Sequence, residues 1–293
     1  MLTRLAVGLL WLLHFLPAQS LARVGETLGR LAYHLVASRR TVCLKNLELC
    51  FPQLAERERV ALAKDAFAAF GRSVVERAAL WWGSAERIDR MVRIEKDGFE
   101  EALRILDSGT PLILFAPHFV GLDAGATRLS MERAAVSMYA RQKDRYLDAF
   151  LRGRRNRFKP VTLLSRQEGV RGLVREMATG KPCYYLPDLD FGRRDSVFVP
   201  FFGVPAATIT GLARLARLAD AKVMPVVTEM LSPGEGYVVR IYPAWEDYPS
   251  GDDVADARRM NAFIETRVRQ RPEQYHWLHK RFKTRPSGEP RFY

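Results

Sequence analysis

Pro111-Leu-Ile-Leu-Phe-Ala-Pro-His118-Phe-Val-Gly-Leu-Asp123 is the stretch that decides how this chain folds. Its apolar run, bounded by two prolines and rich in large side chains, spells a short buried strand. The polar residues come immediately afterwards, where the chain turns towards a helix. Outward from this strand, the pattern alternates from about residue 92. Strands are expected at 92–95, 135–140, 161–164, 183–186, 222–229 and 237–242. Helices are expected at 98–106, 144–158, 168–178 and 208–218, with a last one over about 253–269. Ser108-Gly109 and Gly180 supply helix stops. Alternation of this kind predicts an α/β fold, a mixed and largely parallel sheet flanked by helices. In such sheets sites gather at the carboxyl ends of strands, which is where His118 falls.

A histidine there, with a carboxylate five positions on, can form a dyad. One imidazole nitrogen, held by Asp123, fixes the tautomer; the other is left to take a proton. That chemistry suits removal of a hydroxyl proton as the oxygen attacks a carbonyl, with no Ser or Cys nucleophile required. By itself HxxxxD recurs by chance, and a lone His is more often structural. The placement after a buried strand is what favours catalysis. Thr208 and Thr210 are expected to cap the helix they open, and Asp188 and Asp190 to sit in a loop turned by Pro187. His276 and His279 read as structural or interfacial.

The densest positive stretch is Arg141-Gln-Lys-Asp-Arg145 followed by Arg152-Gly-Arg-Arg155-Asn-Arg157-Phe-Lys159. It is either a solvated helix face or a cradle for phosphates, which arginines bind bidentately. The whole chain of 293 residues carries a net charge of +13, which calls for an anionic partner. No helix-turn-helix, zinc-finger or RNP signature is present, so nucleic acid is not expected. Three cysteines without CxxC spacing imply neither a disulfide framework nor a zinc site, and no metal or cofactor is expected.

Upstream, 21–82 reads as helices. Leu21, Val24, Leu28, Leu31 and Leu35 recur at helical spacing, and Val60, Ala63, Phe67, Phe70 and Val74 follow. Asn46-Leu-Glu-Leu-Cys-Phe-Pro52 reads as a break between them. Between Arg4 and Arg23 there is no charged residue. A helix over 5–16 would be roughly 18 Å long against a hydrocarbon core of about 30 Å. Extended through Ala22, with a kink at Pro17, it would just reach across. A membrane anchor or interfacial helix is the favoured reading, a cleaved leader or a buried helix the competing ones. Arg23, Arg30, Arg39, Arg40 and Lys45 then fit an anionic leaflet. The expected organisation is a membrane-associating segment at 1–22, a helical region at 23–91 and an α/β core at 92–293, the last two packed as one domain.

Several motifs in order carry a resemblance across nearly the whole chain. They are the 46–52 stretch, Ala116 to Asp123, Tyr185-Leu-Pro-Asp188-Leu-Asp190-Phe-Gly192, Ser196-Val-Phe-Val-Pro-Phe-Phe-Gly203, and Pro272-Glu-Gln-Tyr275-His-Trp-Leu-His279-Lys-Arg-Phe-Lys-Thr-Arg-Pro286. In these the chain resembles the lipid A biosynthesis acyltransferases, closest to the lauroyltransferase branch. The resemblance implies a glycerolipid acyltransferase-like fold and an acyl–acyl carrier protein donor. The implied acceptor is a 3-hydroxyacyl hydroxyl on a phosphorylated, Kdo-bearing lipid A precursor. The implied location is the cytoplasmic face of a bacterial inner membrane, among its lipids. The family's catalytic pair maps onto His118 and Asp123, and a functional Arg and Asp onto Arg155 and Asp188. Arg152 and Arg141 join Arg155 and Asp188 as expected substrate-binding residues. A glycerophospholipid acyltransferase of the lysophosphatidic acid type is the alternative that the dyad alone would permit.

Overall fold

The computed structural model describes residues 2–165 and 169–293. At its centre lies β2 (Leu112–Phe115), buried along its whole length. Beside it run β5 (Cys183–Tyr185) and β8 (Lys222–Met230), both parallel to it. The sheet is completed by β3 (Ala135–Tyr139) and β4 (Val161–Ser165) on one flank, and by β9 (Tyr237–Ile241) and β1 (Val92–Ile94) on the other. The order is β1-β9-β8-β2-β5-β3-β4. Within it β8 and β9 pair antiparallel and the other pairs are parallel. Helices cover both faces, so the expected fold class is the one observed.

The strand pleat sorts the core. Leu112 and Leu114 face one apolar cluster; Ile113 and Phe115 face another. The second cluster also holds Leu47, Phe51 and Phe67 from the N-terminal helices and Tyr275, Trp277 and Phe282 from the C-terminal segment. Those helices are α1 (Leu2–Leu13), α2 (Ala18–Leu35), α3 (Ala37–Cys50) and α4 (Glu56–Trp82). Next come α5 (Ala85–Met91), α6 (Lys96–Asp107), α7 (Leu122–Glu132), α8 (Arg145–Arg155) and α9 (Gly169–Met177). The last are α10 (Gly211–Ala219) and α11 (Asp253–Gln270). At the α2–α4 crossing a Cβ on Gly71 would stand 2.5 Å from the Gly25 carbonyl oxygen and 2.6 Å from Gly29 Cα, so only glycine permits so close an approach.

Several details differ from expectation. Pro17 stands at the N-cap of α2 instead of kinking one long helix. Leu21 and Ala22 are buried within α2, so a boundary at 22 falls inside that helix. Among the described residues no helix is long and apolar enough to cross a membrane. Asn46 to Cys50 is helical and the chain breaks only at Phe51, because buried Asn46 donates its amide to the Trp277 and His279 carbonyls at 2.7 Å each. Thr208 belongs not to a helix but to β7 (Val204–Ile209), which pairs with β6 (Ser196–Phe201) as a separate hairpin. Phe202 and Gly203, at φ of 52° and 78°, make its two-residue turn, a geometry usually signalled by Asn-Gly. The Thr208 hydroxyl instead accepts from Asn261 and Arg281, each at 3.2 Å, and Thr210 makes no side-chain cap bond. The expected helix start at 168 lies outside the described residues.

Candidate active site

Strands β2 and β5 are paired Phe115 to Tyr185, and the Ala116 N–H donates to the Tyr185 carbonyl at 2.9 Å. Three residues beyond each paired position stand His118 and Asp188. Parallel register alone therefore delivers both to the same rim of the sheet, at the carboxyl ends of neighbouring strands. His118 Nδ1 lies 2.6 Å from Asp188 Oδ1, and the His118 backbone N–H donates to Asp188 Oδ2 at 2.9 Å. A carboxylate in this position accepts, so Nδ1 carries the proton and Nε2 is the free base nitrogen. Asp188 is wholly buried. Burial pushes its carboxyl up, but the His118 imidazole, its ring and backbone hydrogen bonds, and Arg281 outweigh that and hold it below the ordinary range.

Asp123, expected behind His118, opens α7 and faces another way. Its Oδ2 pairs with Arg77 of α4 at 2.6 Å and its Oδ1 with Arg155 of α8 at 3.9 Å. Loss of water from its surroundings raises its carboxyl; Arg77, Arg155 and the charge it shares with His118 more than reverse this. The reason for the exchange is geometric. Gly121 lets α7 close onto β8, where a Cβ would meet the Thr228 carbonyl oxygen at 2.3 Å. The helix so seated turns its first-turn acid towards α4. Asp123, expected to hold the histidine, thus pairs with arginines, and Asp188, expected in a loop as a substrate-binding residue, takes the histidine.

Among the clustered arginines the structure separates roles. Arg154 donates to the Trp81 carbonyl, and Arg157 to the Leu80 and Gly83 carbonyls. Both are tied to the end of α4. Arg155 keeps 42% of its side chain exposed and lies over the Tyr139 ring at 5.1 Å. Arg152 reaches the same ring from 5.9 Å. Arg141 is exposed. Neither Arg152 nor Arg141 lines the cleft on which His118 opens, whereas Arg155, Arg171, Arg194 and Arg214 do. Asp190 is taken up by the Gly192 N–H and by the N–H and hydroxyl of Thr284.

Two spaces meet at the site. One is an apolar cavity of about 260 Å³ on the Leu112/Leu114 face, walled by α6, α7 and α8 and with Asp123 and Arg77 on its wall. The other is the open cleft at His118, about 910 Å³. Met138, Arg155 and Leu186 line both. The His276 ring stacks on His118 at 6.4 Å and on Phe70 at 5.5 Å. Burial lowers His276 and His279 to about 4 each, so both are neutral at neutral pH. Sequence reasoning missed Arg77. Helix 56–82 was legible by its apolar positions, and nothing marks one of its many charged residues as facing a strand end far along the chain.

The arrangement provides an oriented general base, an adjacent cation and an apolar channel, which suits transfer of an acyl group to a hydroxyl. Comparison with known proteins points the same way. A family model described as bacterial lipid A biosynthesis acyltransferase matches residues 1–284. The lipid A biosynthesis lauroyltransferase of Escherichia coli (strain K12) is 34% identical over 293 residues, covering 100% of this chain and 94% of that protein. The palmitoleoyltransferase of the same organism is 31% identical over the same shares. Its myristoyltransferase is 32% identical over 270 residues, 92% of this chain and 81% of that protein.

Proposed function

The chain belongs to the bacterial lipid A biosynthesis acyltransferases and is an O-acyltransferase, and from that premise we propose the following course for its reaction. The donor is an acyl–acyl carrier protein thioester. The acceptor is a 3-hydroxyacyl hydroxyl of a phosphorylated, Kdo-bearing lipid A precursor. His118 Nε2 takes the hydroxyl proton as the oxygen attacks the thioester carbonyl. Asp188 holds Nδ1–H and stabilises the imidazolium so formed. The developing oxyanion is met by Arg155, which pairs with Asp123, itself held by Arg77. Collapse expels the carrier thiolate, which takes the proton from His118; one ester and one thiol result and the base is restored.

The observation that carries this reading is the shared wall of the two spaces. In this reading the acyl chain takes the apolar cavity and the acceptor headgroup the arginine-lined cleft on which His118 opens, with Met138, Arg155 and Leu186 as the wall between them. The N-terminal helices supply the approach to lipid. Leu5, Leu9, Leu12, Phe15, Leu28, Leu31 and Leu35 are 50–81% exposed, with Arg23, Arg30, Arg39 and Arg40 close by in sequence. Such a face suits the plane of an anionic leaflet and supports a reading in which the protein works on the cytoplasmic side of the inner membrane. Thr3 donates to Asp144 at 2.6 Å and Arg4 lies 5.2 Å over Tyr146. These contacts join α1 to α8, whose Leu151, Arg154 and Arg155 wall the cavity.

The test is a product assay by mass spectrometry. Purified protein receives acyl carrier protein charged with a lauroyl or myristoyl chain, and either Kdo-bearing lipid A precursor or lysophosphatidic acid. Acyl mass is expected on the lipid A precursor alone and is lost in His118→Ala. General-base removal costs about 10²–10⁴-fold. Product only on lysophosphatidic acid, or near-normal turnover in folded His118→Ala, overturns the reading.

A further inference from the structure

The C-terminal segment does more than cover the site. The short 3₁₀ turn Pro272–Gln274 ends in a buried glutamine whose amide is bonded on both sides to β8: it accepts from the Met230 N–H at 2.9 Å and donates to the Met230 carbonyl at 2.8 Å. From that anchor the chain runs antiparallel along the loop after β2. The Val120 N–H donates to the Gln274 carbonyl at 2.8 Å, and the His276 N–H to the His118 carbonyl at 3.1 Å. Between these two bonds, opposite Phe119, sits Tyr275. Its ring is wedged among Phe119, Phe201 and Trp277 at 5.1–5.9 Å, and it is 2% exposed. Its hydroxyl donates to Asp188 Oδ2 at 3.1 Å.

We propose that Tyr275 is a positioning residue for the acyl transfer, the outer member of a buried Tyr275–Asp188–His118 chain that sets both the orientation of the carboxylate and the basicity of the imidazole. The inference rests on the reading of His118 as the base. Asp188 is wholly buried and meets three donors: the His118 ring N–H, the His118 backbone N–H and the Tyr275 hydroxyl. Hydrogen bonds into one carboxylate share its charge. With the phenol in place, less of that charge falls on His118, and the imidazolium is less favoured. Remove the phenol oxygen and the charge concentrates on Nδ1–H, so His118 holds its proton to a higher pH.

Tyr275→Phe tests this, since it keeps the ring and removes one oxygen. The pH profile of kcat is expected to keep its shape, with its acid limb moved up by about 0.5–1 pH unit. Below that limb kcat is expected to fall about 3- to 10-fold with KM unchanged. The other ionisable groups facing the pair stay in place: Asp123 on α7, Arg155 on α8, and His276, His279 and Arg281 on the C-terminal segment. As an opposite perturbation, 3-fluorotyrosine placed at 275 makes a stronger donor and should move the limb down. An unmoved limb in both proteins, or a loss of kcat matched only by a loss of thermal stability, overturns the inference. His118→Ala is run alongside. If it retains turnover, the base assignment itself falls; if it is inactive while the limbs stay put, only the role of Tyr275 falls.

Discussion

Asp188→Asn separates the two carboxylates most sharply. Asparagine keeps the volume but has one acceptor oxygen and an NH₂ in place of the second. In the structure the His118 backbone N–H and the Tyr275 hydroxyl converge on Oδ2, and the His118 ring N–H on Oδ1. The backbone N–H cannot become an acceptor, whereas Nδ1 can. The amide oxygen therefore takes the Oδ2 place and the NH₂ faces Nδ1. The ring proton moves to Nε2, the nitrogen that has to receive the acceptor's proton. The base is then blocked and not merely loosened. A carboxylate-to-amide change behind a catalytic histidine costs about 10⁴-fold in a serine hydrolase, so kcat should fall by about 10³–10⁴-fold. Folding should survive, because a hydrogen bond to a charged group is worth only about 1.5–3 kcal/mol. Asp123→Asn instead frees Arg77 and Arg155 while leaving the His118 partner in place, at about 10²–10³-fold, the range for disturbing one oxyanion donor. Steady-state transfer between carrier thioester and lipid A precursor measures both, with circular dichroism melts as the folding control. Turnover of folded Asp188→Asn within tenfold of the parent would refute the reasoning. A larger loss in Asp123→Asn than in Asp188→Asn would return the histidine to Asp123.

Three further outcomes follow from the geometry. His276 and His279 sit near 4 when folded and near 6.5 when unfolded. The unfolded chain thus binds more protons between those values, and stability is full above about 6.5 and falls as pH drops towards 4. At pH 5 the loss is about 2 kcal/mol per histidine; melts from pH 7.5 to 5 should show it, and His276→Gln with His279→Gln should flatten the slope. Ala126→Leu adds bulk to the wall of the apolar cavity and should shift the preferred donor to a shorter acyl chain, by about 10-fold or more per excess methylene, read by competing donors of two lengths. Leu5→Glu, Leu9→Glu and Leu12→Glu together, at positions 57–62% exposed, should abolish sedimentation with anionic vesicles while leaving the melting temperature in place; undiminished binding would move the lipid-facing surface elsewhere.

What the sequence reveals depends on how far apart the partners lie. His118 is legible because a strand end and the chemistry occur within one continuous stretch. The helices and central strands are legible from periodicity, and β6–β7 is not, since a Phe-Gly turn does not announce a hairpin. Asp123 is legible as a carboxylate near the histidine, but its ion pairs with Arg77 on α4 and Arg155 on α8 are not. Asp188 reaches His118 only because β5 inserts beside β2, while β3 and β4, which come between them in the chain, are placed farther out. Sheet order is a non-local outcome, and no spacing of five residues contains it. The apolar cavity is the same kind of case, its wall assembled from α6, α7 and α8 together with several strands.

That dispersal bears on where the functional unit ends. His118 and Asp188 belong to the rim of the sheet, but each is braced from outside it. Arg77 comes from α4, and Phe70 of the same helix backs the His276 ring. Asn46 of α3 holds the carbonyls of Trp277 and His279, just beyond the Tyr275 that meets Asp188. Buried Arg72, paired with Glu76 at 3.0 Å, reaches the Leu231 carbonyl at 2.7 Å and fixes α4 at the end of β8. We therefore infer that 23–91 and 92–293 act as one domain. The sheet could supply a histidine and an acid without the helices. The arginine that holds Asp123, the brace behind the histidine and the fixed course of the C-terminal segment all require them.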